Sequence, residues 1–124
     1  MTIVSLTGKS RIDAAFKSGR RFGSPEAAMI ATHGKPTTDM VELLIVVRKK
    51  VARKSVVRNR VRRLVREALR RQLGEMEKQN APVPVQTIII LWNSAPSRPS
   101  MLRLESVSQI LRPLIERACG VRRQ

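Results

Sequence analysis

Reactive side chains are scarce in this chain. A single cysteine, Cys119, rules out an internal disulfide and fits a reducing compartment. The only histidine, His33, stands in the turn-like run His33-Gly34-Lys35-Pro36, where it reads as a solvated loop residue. With no second histidine and no cysteine cluster, no metal site is expected. The nine acids (Asp13, Glu26, Asp39, Glu42, Glu67, Glu75, Glu77, Glu105 and Glu116) are scattered, and none is set as a close pair in an apolar pattern suited to general acid–base work. Gly8-Lys9-Ser10 lacks the upstream glycine of a phosphate-binding loop. The longest apolar runs, Leu43 to Val47 and Ile88 to Trp92, fall far short of the ~20 residues of a membrane span. Nothing resembles a signal peptide, so the expected location is the cytoplasm, with no membrane partner. Aromatics are nearly absent: no tyrosine, one tryptophan and two phenylalanines. The polypeptide itself is expected to catalyse nothing.

Positive charge is in excess. Lysine and arginine number 25 against nine acids, for a net charge of +16 and a pI near 11.8, which points to a polyanionic partner. Twelve of those 25 cations lie in the 24 positions from Arg48 to Arg71, with Glu67 as the one acid among them. From Val57 onward the apolar residues Val57, Val61, Leu64, Val65 and Ala68 follow the spacing of one helix face. Ser55 stands where an N-cap belongs. At about 100° per residue, Arg58, Asn59, Arg62, Arg63, Arg66 and Arg70 share the opposite face. The pattern predicts a helix of roughly 28 Å, at 1.5 Å per residue, with guanidinium groups outward. Arg58, Arg62, Arg66 and Arg70 form an i, i+4 row of like charge, which costs about 0.2–0.5 kcal/mol per pair. Arginine, used here almost without lysine, presents a planar fork of donors that suits phosphate oxygens. An RNA- or DNA-binding face is the expectation.

Around this stretch the chain reads as one domain over residues 1–124. Residues 1–9 carry no clear signal. Ser10 to Ser18 reads as a short helix, capped by Ser10, with Asp13 in its first turn and Gly19 closing it. Ile12 and Phe16 share one face of that helix. Arg20 to Glu26 reads as a connection and Ala27 to Thr32 as a short strand. Val41 to Val47 reads as an interior strand, apolar on both faces apart from Glu42. Gly74 to Pro84 reads as a polar linker and Val85 to Trp92 as a strand. The strand–helix–strand order makes the last two strands parallel. Asn93 to Ser100 must be loop. Leu102 to Cys119 reads as a helix with Leu104, Val107, Leu111, Leu114, Ile115 and Ala118 on its stripe, which Pro113 should kink or divide. Cys119 reads as a small core residue, and the ending Val121-Arg122-Arg123-Gln124 as frayed. The predicted architecture is an α+β layer pair in the order α-β-β-(β)-α-β-α.

The Arg-rich stretch resembles the protein subunit of bacterial ribonuclease P. The likeness rests on Lys49-Lys50 followed by Arg58-Asn59-Arg60-Val61-Arg62-Arg63-Leu64-Val65-Arg66-Glu67. Weaker likeness extends over most of the chain, including Phe16-Lys17-Ser18-Gly19-Arg20-Arg21 and the strand at Ile88 to Ile90. The resemblance implies a non-catalytic subunit of an endoribonuclease that removes the 5′ leader of precursor tRNA, the RNA subunit carrying out hydrolysis with magnesium. It also implies a small α/β sandwich with a left-handed βαβ crossover, against the right-handed rule of ~98% of such units. By the same resemblance Lys49, Lys50, Arg53, Lys54, Arg58, Asn59, Arg60, Arg62, Arg63, Arg66 and Arg70 would meet the ribonuclease P RNA. Ile12, Phe16, Ile30 and Arg48 would line a cleft for the leader of precursor tRNA. The chain departs from the family where Ile12 replaces a usual phenylalanine, where Arg48 replaces a small residue, and where Trp92 replaces a basic or small one. The strand Ala27 to Thr32 has no aromatic, so leader recognition is expected to lean on charge. Two other readings remain open: a ribosomal or other structural RNA-binding protein, and a DNA-binding basic helix. No dimerisation heptad or second docking helix supports the DNA reading, so no DNA partner is expected.

Overall fold

The computed structural model describes residues 2–34, 40–79, 83–94 and 102–120. In chain order the elements are β1 (Thr2–Ser5), α1 (Lys9–Ser18), β2 (Arg20–Gly23), β3 (Ala27–His33), β4 (Met40–Val47), α2 (Ser55–Lys78), β5 (Val85–Trp92) and α3 (Leu104–Ala118). The strands form one five-stranded sheet in the order β1-β4-β5-β3-β2. β1, β4 and β5 run parallel, while β3 is antiparallel to β5 and β2 antiparallel to β3. Strands β4 and β5, joined through α2, are therefore adjacent and parallel, as the strand–helix–strand reading requires.

Alternation along the strands divides two cores. Val41, Leu43 and Val47 of β4 and Ile88, Ile90 and Trp92 of β5 face one side, packed with Val57, Val61, Val65, Leu69 and Leu73 of α2 and Val107, Leu111, Leu114 and Ile115 of α3. Ile30 and Ile89 face the other side with Leu6 and Ala15, and Ile12, Leu44, Val46 and Leu91 are partly buried there. Because α1 packs on that second face, the domain has three layers rather than a single layer pair. One short helix cannot cover five strands, so part of the sheet stays open.

Two strands differ from the expectation of unstructured sequence. Thr2–Ser5 pairs with Met40–Leu43 along the sheet edge, burying only Ile3, a pattern too short to show a period. Arg20–Gly23 pairs with Ala28–Ala31 and buries only Phe22, next to two exposed arginines. Charge on an outer strand is a common guard against edge-to-edge pairing, and it hides the strand from a hydrophobic pattern.

The helix ends also differ. α1 starts at Lys9, with Gly8 at φ 92° before it and no side-chain cap from Ser10. Asp13 lies beyond its first turn, and the Gly19 N–H donates to the Ala15 carbonyl. Lys54, not Ser55, takes the position before α2, again without a side-chain cap. α2 does not stop at Gly74 but runs on to Lys78. Glycine costs about 1 kcal/mol against alanine inside a helix, whereas burying Leu69 and Leu73 yields roughly 1.5–3 kcal/mol each. The apolar face carries the helix through. α3 likewise continues through Pro113, with Leu111 buried before it and Leu114 and Ile115 after it. The tail 121–124 and the loop 95–100 lie outside the described residues, as do Lys35 and Pro36 of the predicted turn.

His33 is the last residue of β3 rather than a solvated turn residue. Its Nε2 donates to the Ala118 carbonyl at 2.6 Å, satisfying a carbonyl at the end of α3. The ring also meets Phe22 edge-on, 6.3 Å between centroids. Burial pushes the Cys119 thiol up to about 11, so this thiol stays protonated at neutral pH and is a poor nucleophile.

Candidate nucleic-acid interface

The basic loop between β4 and α2 is a tight turn, with the N–H groups of Val51 and Ala52 both donating to the Arg48 carbonyl. Arg58, in the first turns of α2, folds back and donates through Nη1 to the carbonyls of Ala52 and Arg53 at 2.9 and 2.8 Å. This brace holds Lys49, Lys50, Arg53 and Lys54 against the positive end of the helix dipole, which favours an anion there. None of those four side chains has a hydrogen-bond or ion-pair partner among the described residues.

Along the helix the cations divide into two kinds. Arg60 donates through Nε and Nη2 to the Leu102 carbonyl, at 3.3 and 2.9 Å, and so ties α2 to the approach of α3. Arg66 donates to the Ile3 carbonyl at 2.7 Å and ties α2 to β1. Arg70 makes two bonds to Glu67, of 3.0 and 2.6 Å, and Arg71 a third of 2.9 Å. The hydrogen bonds from Arg70, then Arg71, hold the Glu67 carboxyl at about 2, well below the usual carboxylate range. Glu67 thus neutralises the C-terminal end of the arginine row, through Arg70 and Arg71. Arg62 makes only a 3.3 Å contact to Asn59 Oδ1, and Arg63 has no partner among the described residues. Both are exposed. The outward face expected from the sequence is present, but Arg58, Arg60 and Arg66 each spend donors on the fold. The groups left with full donor capacity are Lys49, Lys50, Arg53, Lys54 and Arg63, with Arg62 nearly so.

The residues expected around the leader are only partly gathered. Ile12 and Ile30 belong to the same apolar cluster on the α1 side of the sheet. Phe16 stands on α1, 42% exposed and outside that cluster. Arg48 is exposed just past the last residue of β4. Pairing registers place Leu44, Ile89, Ile30 and Arg21 in one row across this face, with Val46, Leu91, Ala28 and Gly23 in the next. Arg21 was absent from the sequence-based set. Recognising Arg20–Gly23 as a strand would have placed it opposite Ile30, on the same face.

Among the described residues no group of three or more His, Cys, Asp or Glu is placed to hold a metal ion, and no helix is long and apolar enough to cross a membrane. What the fold presents is a small α+β protein with a cationic helix on one side of the sheet and a half-covered apolar sheet face on the other.

Comparison with known proteins gives this class a family. The sequence model of the Ribonuclease P family matches residues 3–116. The ribonuclease P protein component of Xylella fastidiosa is 32% identical over 115 residues, covering 86% of this chain and 83% of that one. The RNase P protein of Thermotoga maritima superposes with a TM-score of 0.64 at 23% identity, over 91% of this chain and 96% of the other. The RNase P protein of Staphylococcus aureus gives 0.63 at 17% identity, over 92% and 94%. These two structures share the fold. The chain belongs to the bacterial ribonuclease P protein family. It is a protein component of the tRNA-processing endoribonuclease, and its partner is the RNA of that ribonucleoprotein. The reading as a ribosomal protein is set aside by the same match.

Proposed function

We propose that α2 and the loop before it hold the ribonuclease P RNA, while the open sheet face beside α1 receives the 5′ leader of precursor tRNA. The observation that carries this reading is the run of cations without partners among the described residues, Lys49, Lys50, Arg53, Lys54 and Arg63, gathered around the start of α2. Such groups gain most from phosphate, because each forms a charge-assisted bond and releases a condensed counterion without first breaking an internal contact. On the other side, Leu44, Val46 and Leu91 offer apolar surface, Phe16 one exposed ring, and Arg21 and Arg48 charge at the margins. A single ring limits stacking, which is worth about 1–3 kcal/mol per base. The leader is therefore held mainly through its phosphates and apolar contact. The hydrolytic step belongs to the RNA subunit and its magnesium, and the protein's part is to bind and orient.

Reconstitution tests this. Added to the RNA subunit at low magnesium, the protein is expected to raise cleavage of precursor tRNA at the mature 5′ end, and RNA-free protein to cleave nothing. Cleavage at that position by RNA-free protein, or no effect on the RNA-catalysed reaction, would overturn the reading.

A further inference from the structure

The edge of the sheet beside α2 is unevenly closed. β1 pairs with β4 only from Met40 to Leu43, and the last contact is the Leu6 N–H donating to the Leu43 carbonyl at 2.9 Å. β4 continues to Val47, so its outer side is unpaired for the final residues. In a strand the groups of alternate residues point to the same side. Leu43 turns its N–H and C=O toward β1, and Ile45 therefore turns the same pair outward, with no backbone partner among the described residues. Arg66 covers the outer edge of β1 through Ile3, but among the described residues nothing comparable covers Ile45.

At this point lies a notch of about 430 Å³, lined by Ser5, Leu6, Leu43, Leu44 and Ile45 and by Arg62, Arg63 and Arg66 of α2. Its size falls within the roughly 300–1,000 Å³ of sites that take small ligand groups. The floor is apolar, one wall offers an adjacent backbone donor and acceptor, and the rim carries three exposed arginines, of which Arg66 is already bonded to Ile3. That combination matches an unstacked nucleotide. An apolar floor and an arginine plane can hold a base by its face, a strand edge can hydrogen-bond its rim, and a second guanidinium can hold its phosphate. An acidic peptide would use the charges but leave the apolar floor empty.

We infer that the notch between the open end of β4 and Arg62 and Arg63 of α2 seats one unpaired nucleotide of the ribonuclease P RNA, its base against Ile45 and the open edge of β4 and its phosphate on the arginines. This rests on the reading of α2 as the RNA-docking helix and adds a base-holding site to a face otherwise limited to phosphate contacts.

The test fills the notch without touching a charge. Ser5 is exposed at its mouth, on the same side of β1 as Ile3, and Ser5→Trp places a ring in the space. The variant is expected to bind the RNA subunit roughly 5- to 150-fold more weakly, the range that one lost base contact supports. In the wild-type complex, chemical probing should show one unpaired base shielded at its hydrogen-bonding edge, and that base should regain reactivity with Ser5→Trp at saturating protein. A normally melting Ser5→Trp protein that binds like wild type, with protections unchanged, overturns the inference. If Ser5→Trp melts early, Ser5→Leu is the smaller filling. The wild-type probing also stands alone: no shielded unpaired base means no nucleotide in the notch. Failure of the protein to bind this RNA at all would instead defeat the docking role of α2.

Discussion

Arg66, in the middle of α2, donates a 2.7 Å hydrogen bond to the carbonyl of Ile3, 63 residues earlier in the chain. Ile3 lies on the outermost strand, whose outer backbone groups have no neighbouring strand. An arginine that looks like part of an RNA-facing row is thus also a clamp on the sheet edge. Replacing Arg66 by alanine is expected to cost about 1 kcal/mol of stability, the usual worth of such a bond. For a chain of this size that is a drop of roughly 3–6 °C in Tm. Arg62→Ala, which gives up only a weak contact to Asn59, should stay within about 0.5 kcal/mol of wild type. Thermal melts of the two variants check the difference, and equal Tm values would contradict it.

The arginine row shows what a sequence pattern can and cannot reveal. The helix, its apolar stripe and its outward arginines follow from residue spacing alone, since a 3.6-residue period fixes which side chains share a face. The partners of those arginines do not follow. Arg58, Arg60 and Arg66 bond to carbonyls in the preceding loop, before α3 and on β1, contacts that depend on tertiary packing. β4 and β5 were legible because Val41 to Val47 and Val85 to Trp92 are long apolar runs. β1 and β2 were not, because four residues with one buried side chain each carry no period. The missing β2 also hid Arg21 from the candidate leader face. His33 was misplaced for a related reason: its bond to Ala118 spans 85 residues.

Gly74 is a second case of packing prevailing over local preference. It sits inside α2, and a Cβ built there would meet nothing within 4 Å. Gly74→Ala is expected to stabilise the protein by about 0.5–1 kcal/mol, chiefly by reducing the freedom of the unfolded chain. A Tm higher by roughly 2–6 °C is the expected result. A lower Tm would mean that the helix needs the glycine.

Glu67 makes the stability depend on pH in a defined direction. Its carboxyl is held at about 2 in the folded protein against an ordinary 4.5. A lowered carboxylate contributes stability that is fully present above its unfolded pKa and is lost as pH falls through the folded one. The Tm difference between wild type and Glu67→Gln should therefore be constant above about pH 5 and close between about pH 4.5 and 2. A difference that persists unchanged to pH 2 would show that the pairs with Arg70 and Arg71 do not hold in solution.

Phe16 is the one exposed aromatic ring on α1, and at 42% exposure it is not a core residue. Phe16→Ala should melt close to wild type. Its affinity for precursor tRNA in the reconstituted complex should fall toward that for mature tRNA, by at most the roughly 5- to 150-fold that loss of stacking on one base allows. Unchanged discrimination between leader-bearing and mature tRNA would remove Phe16 from the leader site.

The role of α2 as the docking surface is tested most directly by the salt dependence of binding to the ribonuclease P RNA. If about eight basic groups meet phosphates, log K falls with log salt at a slope of about −6 to −7. The double variant Arg62→Ala/Arg63→Ala, which leaves the clamps at Arg58, Arg60 and Arg66 in place, should reduce the magnitude of that slope by about 1–2. A nearly flat dependence for the wild-type protein, or a slope untouched by the double substitution, would contradict the account.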